Sequence, residues 1–245
     1  MDDLAALRLQ LEWGADEALA EAPLDRFARE TPAAKPLPRP RAAPTAPLAP
    51  AFPNPDAATL DALMAQLGSF EGCALRATAT HTVRPDGNPG SGLVLIGEAP
   101  GSDDDRSGRA FSGGPGQVLD RVLGSIGLDR TRFLATTLVP WRPPGGRKLS
   151  EAEIQACLPF LLRLLGLVRP RRLLLLGAVP VRILTGSAEP ARRLRGRWLE
   201  VRVPDLTAAI PALALPPLDQ WLRNSGTKQE LWSDLIQIAR AVTSD

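Results

Sequence analysis

Hydrophobic positions along this chain follow two periods, and the period switches repeatedly. Short unbroken apolar runs alternate with stretches in which apolar residues recur three and four apart. Leu93 to Ile96 lies within a predicted strand over 92–98, Phe133 to Val139 reads as a second, and Arg172 to Gly177 as a third. The unbroken leucines from Leu173 to Leu176 suit a strand covered on both faces. Leu60, Leu63, Met64 and Leu67 predict a helix that ends at Gly68. Val118, Leu119, Val122, Leu123 and Ile126 predict another over 115–127. Ser150-Glu151-Ala152-Glu153 is a capping box, with hydroxyl and carboxylate three residues apart, and it opens a long helix to about Val168. A short helix over 178–185, strands at Trp198 to Val203 and Ile210 to Leu215, and a closing helix over 228–242 complete the pattern. Strands alternating with helices predict an α/β fold: a three-layer α/β/α sandwich around a central, mostly parallel sheet.

The N-terminal quarter reads differently. Leu4, Leu7, Leu11, Ala15 and Leu19 keep helical spacing, which predicts a short helix within residues 1–30. Residues 31–55 hold nine prolines and seven alanines, so they are expected to be an extended, disordered linker. The folded domain is then expected over 56–245. The N-terminal helix and its tether also suggest a handle for a protein partner.

A net charge of +2 does not mark the chain as a nucleic-acid binder, yet only three of its 29 basic residues are lysine. Arginine grips phosphate bidentately and stacks on bases, although a GC-rich genome produces the same bias. Two cysteines, Cys73 and Cys157, make neither a disulfide framework nor a four-thiolate site. The acidic start lacks a signal-peptide pattern, and the longest apolar run is too short to span a bilayer. A cytoplasmic monomer without a membrane partner is expected.

The candidate chemistry sits where the first predicted strand stops. Gly97-Glu98-Ala99-Pro100-Gly101 follows Ile96, and Gly108-Arg109-Ala110-Phe111-Ser112-Gly113-Gly114-Pro115-Gly116 leads into a helix. In open α/β sheets ligands bind at the carboxyl ends of strands. Glycines let backbone come close to a ligand, and amides at a helix N-terminus suit phosphate.

This pair of motifs resembles the uracil-DNA glycosylases, specifically family 4, the type that holds an iron–sulfur cluster. Further matches are Gly72-Cys73-Ala74-Leu75-Arg76, Pro140-Trp141-Arg142-Pro143-Pro144, Leu194-Arg195-Gly196-Arg197-Trp198 and a closing helix with Trp232. The resemblance implies a uracil-DNA-glycosylase-like fold, base excision from single- or double-stranded DNA, and Glu98 as the catalytic carboxylate. It also implies a base pocket from Gly97, Ala99, Pro100, Gly101, Phe111, Thr137 and Leu215, with the Phe111 ring stacked on the flipped base. Gly113, Gly114, Gly116, Arg195, Arg197, Pro216, Leu218 and Arg223 are the expected DNA-binding residues. Leu218 or Trp221 is the candidate for an apolar wedge. His81, the one histidine of the chain, is expected to be an ordinary loop residue.

Three departures from the family shape the expectation. Phe70 and Trp141 stand at two of the four cluster positions, with Cys73 and Cys157 at the others, so packing in place of metal, and no cofactor, is expected. Thr137 replaces an asparagine that reads the base edge; a lost paired readout costs about 1–3 kcal/mol of discrimination. Leu215 replaces a histidine that donates to the departing base, a change worth about 100- to 1000-fold in rate. The expected activity is therefore weak or shifted in base preference, and the alternative is an inactive relative that binds DNA or a protein.

Overall fold

The computed structural model describes residues 54–221 and 225–243. The helix and linker expected over 1–30 and 31–55 lie outside the described residues, except Asn54 and Pro55, and so does Arg223. Helix α1 spans Leu60–Ser69 and is capped by Thr59, whose hydroxyl accepts from Ala62 N at 3.2 Å. Strand β1 (Asp86–Gly87) and strand β2 (Leu93–Gly97) follow. Helices α2 (Ser102–Ser107) and α3 (Gly113–Gly124) lead to β3 (Leu134–Thr137). Helix α4 (Glu151–Val168) opens on the expected capping box, with Ser150 and Glu153 bonding each other's backbone amides. Strand β4 (Arg172–Leu176), helices α5 (Ala178–Thr185) and α6 (Ala191–Leu194), and strands β5 (Trp198–Val201) and β6 (Ile210–Leu215) precede the final helix α7 (Ser225–Thr243).

The six strands form one sheet in the order β1-β3-β2-β4-β6-β5. The inner four run parallel, and β1 and β5 pair antiparallel at the edges. Leu173 and Leu175 of β4 enter one core with α1, α4 and α5, whereas Leu174 and Leu176 enter the other with α3 and α7. The leucine run is thus buried on both faces, as its composition predicts. The chain leaves β2 toward α3 on one face and leaves β4 toward α5 on the opposite face. Neighbouring strands whose connections part in this way open a crevice at their carboxyl ends.

Several boundaries differ from the sequence expectation. Helix α3 starts at Gly113 because Pro115 falls in its first turn, where the missing N–H costs nothing. Strand β3 stops at Thr137, whose hydroxyl turns back on the chain, and β5 stops at Val201. The two-residue β1 and the short α2 and α6 carry too few residues to show a period.

The arginines before β5 divide by role. Arg195 turns inward: its guanidinium meets Asp234 of α7 at 2.6 Å and 3.2 Å and pairs with Glu230. Gln237 of the same helix donates to Gly196 O at 3.3 Å. Arg195 is therefore a clamp between α7 and the sheet edge, a correction to its expected place on a DNA-binding surface. Arg192, Arg193 and Arg197 remain exposed.

Removing this clamp strands a buried acid. Burial pushes the Asp234 carboxyl up, against the pull of Arg195. Arg195→Ala is expected to cost about 3 kcal/mol at neutral pH by urea denaturation, since a buried charge loses its partner. The loss should shrink on acidification, where Asp234 is protonated in both folded and unfolded states.

Candidate functional site at the carboxyl ends of the parallel strands

Four strand ends form the floor. Gly97 of β2 lies in register with Thr137 of β3, and Leu176 of β4 lies in register with Leu215 of β6. Gly177 continues β4 and donates its amide to Leu215 O at 3.0 Å. The Glu98 carboxylate rises between β2 and β4: a Cβ at Gly177 would lie 4.0 Å from Glu98 Oε2 and 3.7 Å from Pro217 Cβ. This is the crevice where the two connections part. Glu98 is half-buried, and among the described residues no group donates a hydrogen bond to its carboxylate. Burial pushes its pKa up, and the charge of Lys148 opposes that rise.

The Phe111 ring lies directly on β2. A Cβ at Gly97 would sit 2.6 Å from Phe111 Cζ, so this strand end must lack a side chain. Phe111 itself holds a left-handed backbone, with φ of 55°. Such a conformation costs a non-glycine residue about 1–3 kcal/mol and persists only where the surroundings enforce it. Three contacts enforce it here. Arg130 Nη2 donates to Phe111 O at 2.9 Å, while its other nitrogens meet Asp86 at 3.0 Å and Asp120 at 2.6 Å. Gly116 is buried, and a Cβ there would stand 1.9 Å from Phe111 O. Asp104, also buried, accepts from Gly101 N at 2.9 Å and from Ser112 N, tying the two glycine-rich loops together.

Asp104 and Arg130 are positioning residues absent from the sequence-based site. The acidic run Asp103 to Asp105 and Arg130 stand plainly in the sequence, but the backbone atoms they hold are ones that no pattern reveals. Neighbouring Asp105 fixes the adjoining loop by accepting from Thr80 N and Oγ1, both at 2.8 Å. His81 bonds the Asp105 carbonyl through Nδ1 at 2.8 Å and takes no place on the site floor.

The expected residues separate into three groups. Glu98, Gly97, Phe111, Thr137 and Leu215 converge on the floor, with Ala99, Pro100 and Gly101 in the connecting loop. Thr137 is buried and donates its hydroxyl to Val139 O at 2.7 Å. Its proton is spent, so only lone pairs remain for a ligand. Leu215 is buried in the apolar layer that Phe111 packs against. Gly113 and Gly114 are exposed at the start of α3, with the Asp103 side chain against Gly113. Gly116 and Pro216, by contrast, are buried, which corrects their expected place on a DNA-facing surface. Trp221 is fully buried and donates Nε1–H to Pro216 O at 2.9 Å, which removes it as a wedge; Leu218 is half-buried beside it.

Away from the floor, the four cluster-like positions do come together. The Phe70 and Trp141 rings stack with centroids 6.5 Å apart, and Phe160 of α4 packs on Phe70 at 5.1 Å. Trp141 donates Nε1–H to Thr82 Oγ1 at 3.1 Å. Cys73 and Cys157 meet in the same layer, where the Cys157 thiol hydrogen-bonds to Cys73 and holds it down at about 7. The same contact, together with burial, pushes Cys157 up. Two thiols and two rings leave this set two ligands short of a four-thiolate cluster.

Two stability tests follow from this arrangement. Glu98 has its pKa raised by folding, so the unfolded chain releases the proton first as pH rises, and the residue costs stability above the ordinary glutamate range. Glu98→Gln should therefore melt higher than the parent near pH 7, with the difference vanishing at acid pH. Trp141→Ala removes a ring that is 1% exposed. The expected cost is about 3–5 kcal/mol in equilibrium urea unfolding, the range for deleting a buried aromatic ring.

Residues 84–236, more than half of the chain, match the family model described as the uracil DNA glycosylase superfamily. The type-4 uracil-DNA glycosylase of Pyrobaculum aerophilum is 35% identical over 128 residues, which cover 52% of this chain and 62% of that protein. Its counterpart in Archaeoglobus fulgidus is 36% identical over 119 residues, covering 49% and 60%. That of Sulfurisphaera tokodaii is 34% identical over 120 residues, covering 49% and 54%. The chain thus spans between half and two thirds of the length of these curated relatives. The glycine-bedded aromatic ring, the carboxylate in the strand crevice and these matches agree: the chain belongs to the uracil-DNA glycosylase superfamily, on its type-4 branch.

Proposed function

We propose that this chain is a DNA N-glycosylase of base-excision repair. Its substrate is uracil or another deaminated base in DNA, and its activity is weak or shifted in base preference. The observation that carries this reading is the half-buried Glu98 carboxylate in the crevice between β2 and β4, one strand end from the Phe111 ring. A flipped base needs a stacking face, and a sugar losing its base needs a negative charge beside it. In the proposed step the bond between C1′ and the base nitrogen breaks, and its electron pair leaves with the base. Glu98 faces the positive charge that develops on the sugar. Water then bonds to C1′, and its proton ends on the base nitrogen.

The departures define the limits of this activity. Thr137 offers no free proton to a base edge, and Leu215 offers no donor to the departing base. Both weaken base selection and base departure, which is why the reading includes reduced or altered activity. The same two residues favour the second reading, a relative that binds DNA without excising a base. In either case DNA is the partner, with the exposed Gly113, Gly114 and Arg197 as the residues proposed to meet it. The cluster-like positions act through packing and need no cofactor, and the chain works as a monomer. No helix among the described residues is long and apolar enough to cross a membrane.

The test is single-turnover excision with excess protein on labelled single- and double-stranded oligonucleotides, each carrying one uracil, hypoxanthine or xanthine. Alkali-labile product is expected, falling about 100-fold or more in Glu98→Ala. Retained DNA binding with no product from any substrate would establish the second reading instead.

A further inference from the structure

The Phe111 ring is held over Gly97 by a closed circuit of contacts, and one arc of that circuit lies outside the two glycine-rich loops. The arc starts at Gly97 itself, whose carbonyl accepts from Leu138 N at 2.8 Å. The chain runs on through buried Val139 to Pro140 and Trp141. Pro140 O accepts from Val83 N at 2.8 Å, and Trp141 Nε1–H donates to Thr82 Oγ1 at 3.1 Å. Arg84, next along, pairs with the backbone just ahead of Phe111. Its amide donates to Gly108 O at 2.9 Å, and its carbonyl accepts from Ala110 N at 3.0 Å. Phe111 follows, and its ring returns to Gly97.

Residues 80–84 thus form a tie between the segment after β3 and the loop that carries the ring. On the loop side Asp105 adds to the hold: its carboxylate accepts from Thr80 N and Oγ1 at 2.8 Å each and from His81 N at 3.4 Å. Thr80, His81 and Arg84 are exposed, so water competes for the polar groups at this end. The other end is dry. Val83 is 4% exposed and Trp141 only 1%. Hydrogen bonds are stronger where water is excluded, and a donor left without a partner there is more costly. A buried indole N–H requires an acceptor, which Thr82 provides. The ring of Trp141 fills space at a cluster-like position, yet a phenyl ring would fill much of the same space without making this bond.

We propose that Trp141 is a positioning residue for the Phe111 ring: its indole N–H fixes the tie at Thr82, and the tie fixes the backbone from which Phe111 reaches over Gly97. The assignment rests on Phe111 acting as the stacking face in the function proposed above. It gives the large residue at this cluster-like position a part in base binding besides packing. A tie released at its dry end leaves Gly108 to Ala110 held against exposed backbone alone, and the ring is then less closely placed over the strand.

Two measurements on full-length protein test this, with wild type, Trp141→Phe, Thr82→Val and the double variant, each alone and combined with Phe111→Leu. The first is single-turnover excision with excess protein from a single-stranded oligonucleotide carrying uracil, hypoxanthine or xanthine, whichever the wild type excises fastest. The saturating rate should fall about threefold or more in each single variant, since misplacing a group that holds the substrate costs rate. The double variant should be no slower than the slower single one, because both changes break the same bond. In the Phe111→Leu background the same changes should leave the rate where it stands. A ring that merely fills space would leave Thr82→Val at the wild-type rate, and a general loosening of the domain would slow both backgrounds alike; either result would overturn the proposal. The second measurement is the NMR spectrum of the Phe111 ring on protein with labelled phenylalanine, assigned with Phe111→Leu. Its signals should move in Thr82→Val, a change that alters no aromatic ring. Unmoved signals in folded Thr82→Val protein would also overturn the proposal. Wild-type protein that excises no base would sink the glycosylase reading instead, and the ring signals would still decide the role of Trp141.

Discussion

The site depends on one contact, the Phe111 ring laid on the bare Cα of Gly97. With any side chain at the end of β2 the ring would be displaced. With Phe111 in an ordinary conformation the chain would not bring its ring back over the strand. Everything else in the two loops serves this arrangement. Gly116 makes room for the Phe111 carbonyl, Arg130 binds that carbonyl, and Asp104 draws the amides of both loops onto one carboxylate. Strain at Phe111 is thus spread over a buried acid, a half-buried arginine and two glycines. Such a network holds geometry tightly because each polar partner is satisfied, and the loss of any one leaves another stranded.

A comparable constraint operates beneath the loop that leaves β3. Thiolates at all four of these positions would let a metal cluster tie the loop before β1, the loop after β3 and α4 together. Here Phe70 and Trp141 stack across the same elements, with Phe160 of α4 packed on Phe70. Rings of this size bring a large buried area and about 0.5–1.5 kcal/mol of specific pairing. They replace directional bonds with shape. Because α4 also carries Glu153, which Arg147 grips with two nitrogens at 2.5 Å and 2.9 Å, the aromatic layer and the loop after β3 are joined through one helix. Packing at the cluster-like positions therefore bears on where the loop between β3 and α4 sits.

The sequence showed the parts of the molecule that depend on local spacing. The β4 leucines, the Ser150–Glu153 box and the glycine motifs flanking Glu98 all act within a few residues, and their patterns predicted the elements found. Contacts between distant residues were hidden. Arg195 stood in a run of arginines that reads as a phosphate-binding surface, yet its partners lie more than thirty residues away on α7. Charge patterning cannot tell a solvated arginine from one buried against a remote acid. Thr137 was legible as a strand end, but the direction of its hydroxyl depends on the turn to Val139. Trp221 carried helical spacing that suited either a wedge or a core position, and only the tertiary layer beneath β6 decides between them.

The chemistry of the floor follows from what each strand end can still donate. Hydrogen-bond donors near a departing base matter most where the surroundings are dry, because each is worth more there than in water. Of the two departures, Leu215 is the more consequential. Thr137 keeps lone pairs, so a base edge that offers a proton can still be met, whereas an apolar residue at the end of β6 leaves developing negative charge without any partner from that strand. On the glycosylase reading, bases that leave readily are the ones such a floor can serve, since the enzyme then needs to stabilise less charge. On that reading the pocket would select by the ease of bond breaking as much as by the pattern of hydrogen bonds. This links the weakened base readout and the missing donor to a single consequence: the substrate's own chemistry carries more of the reaction.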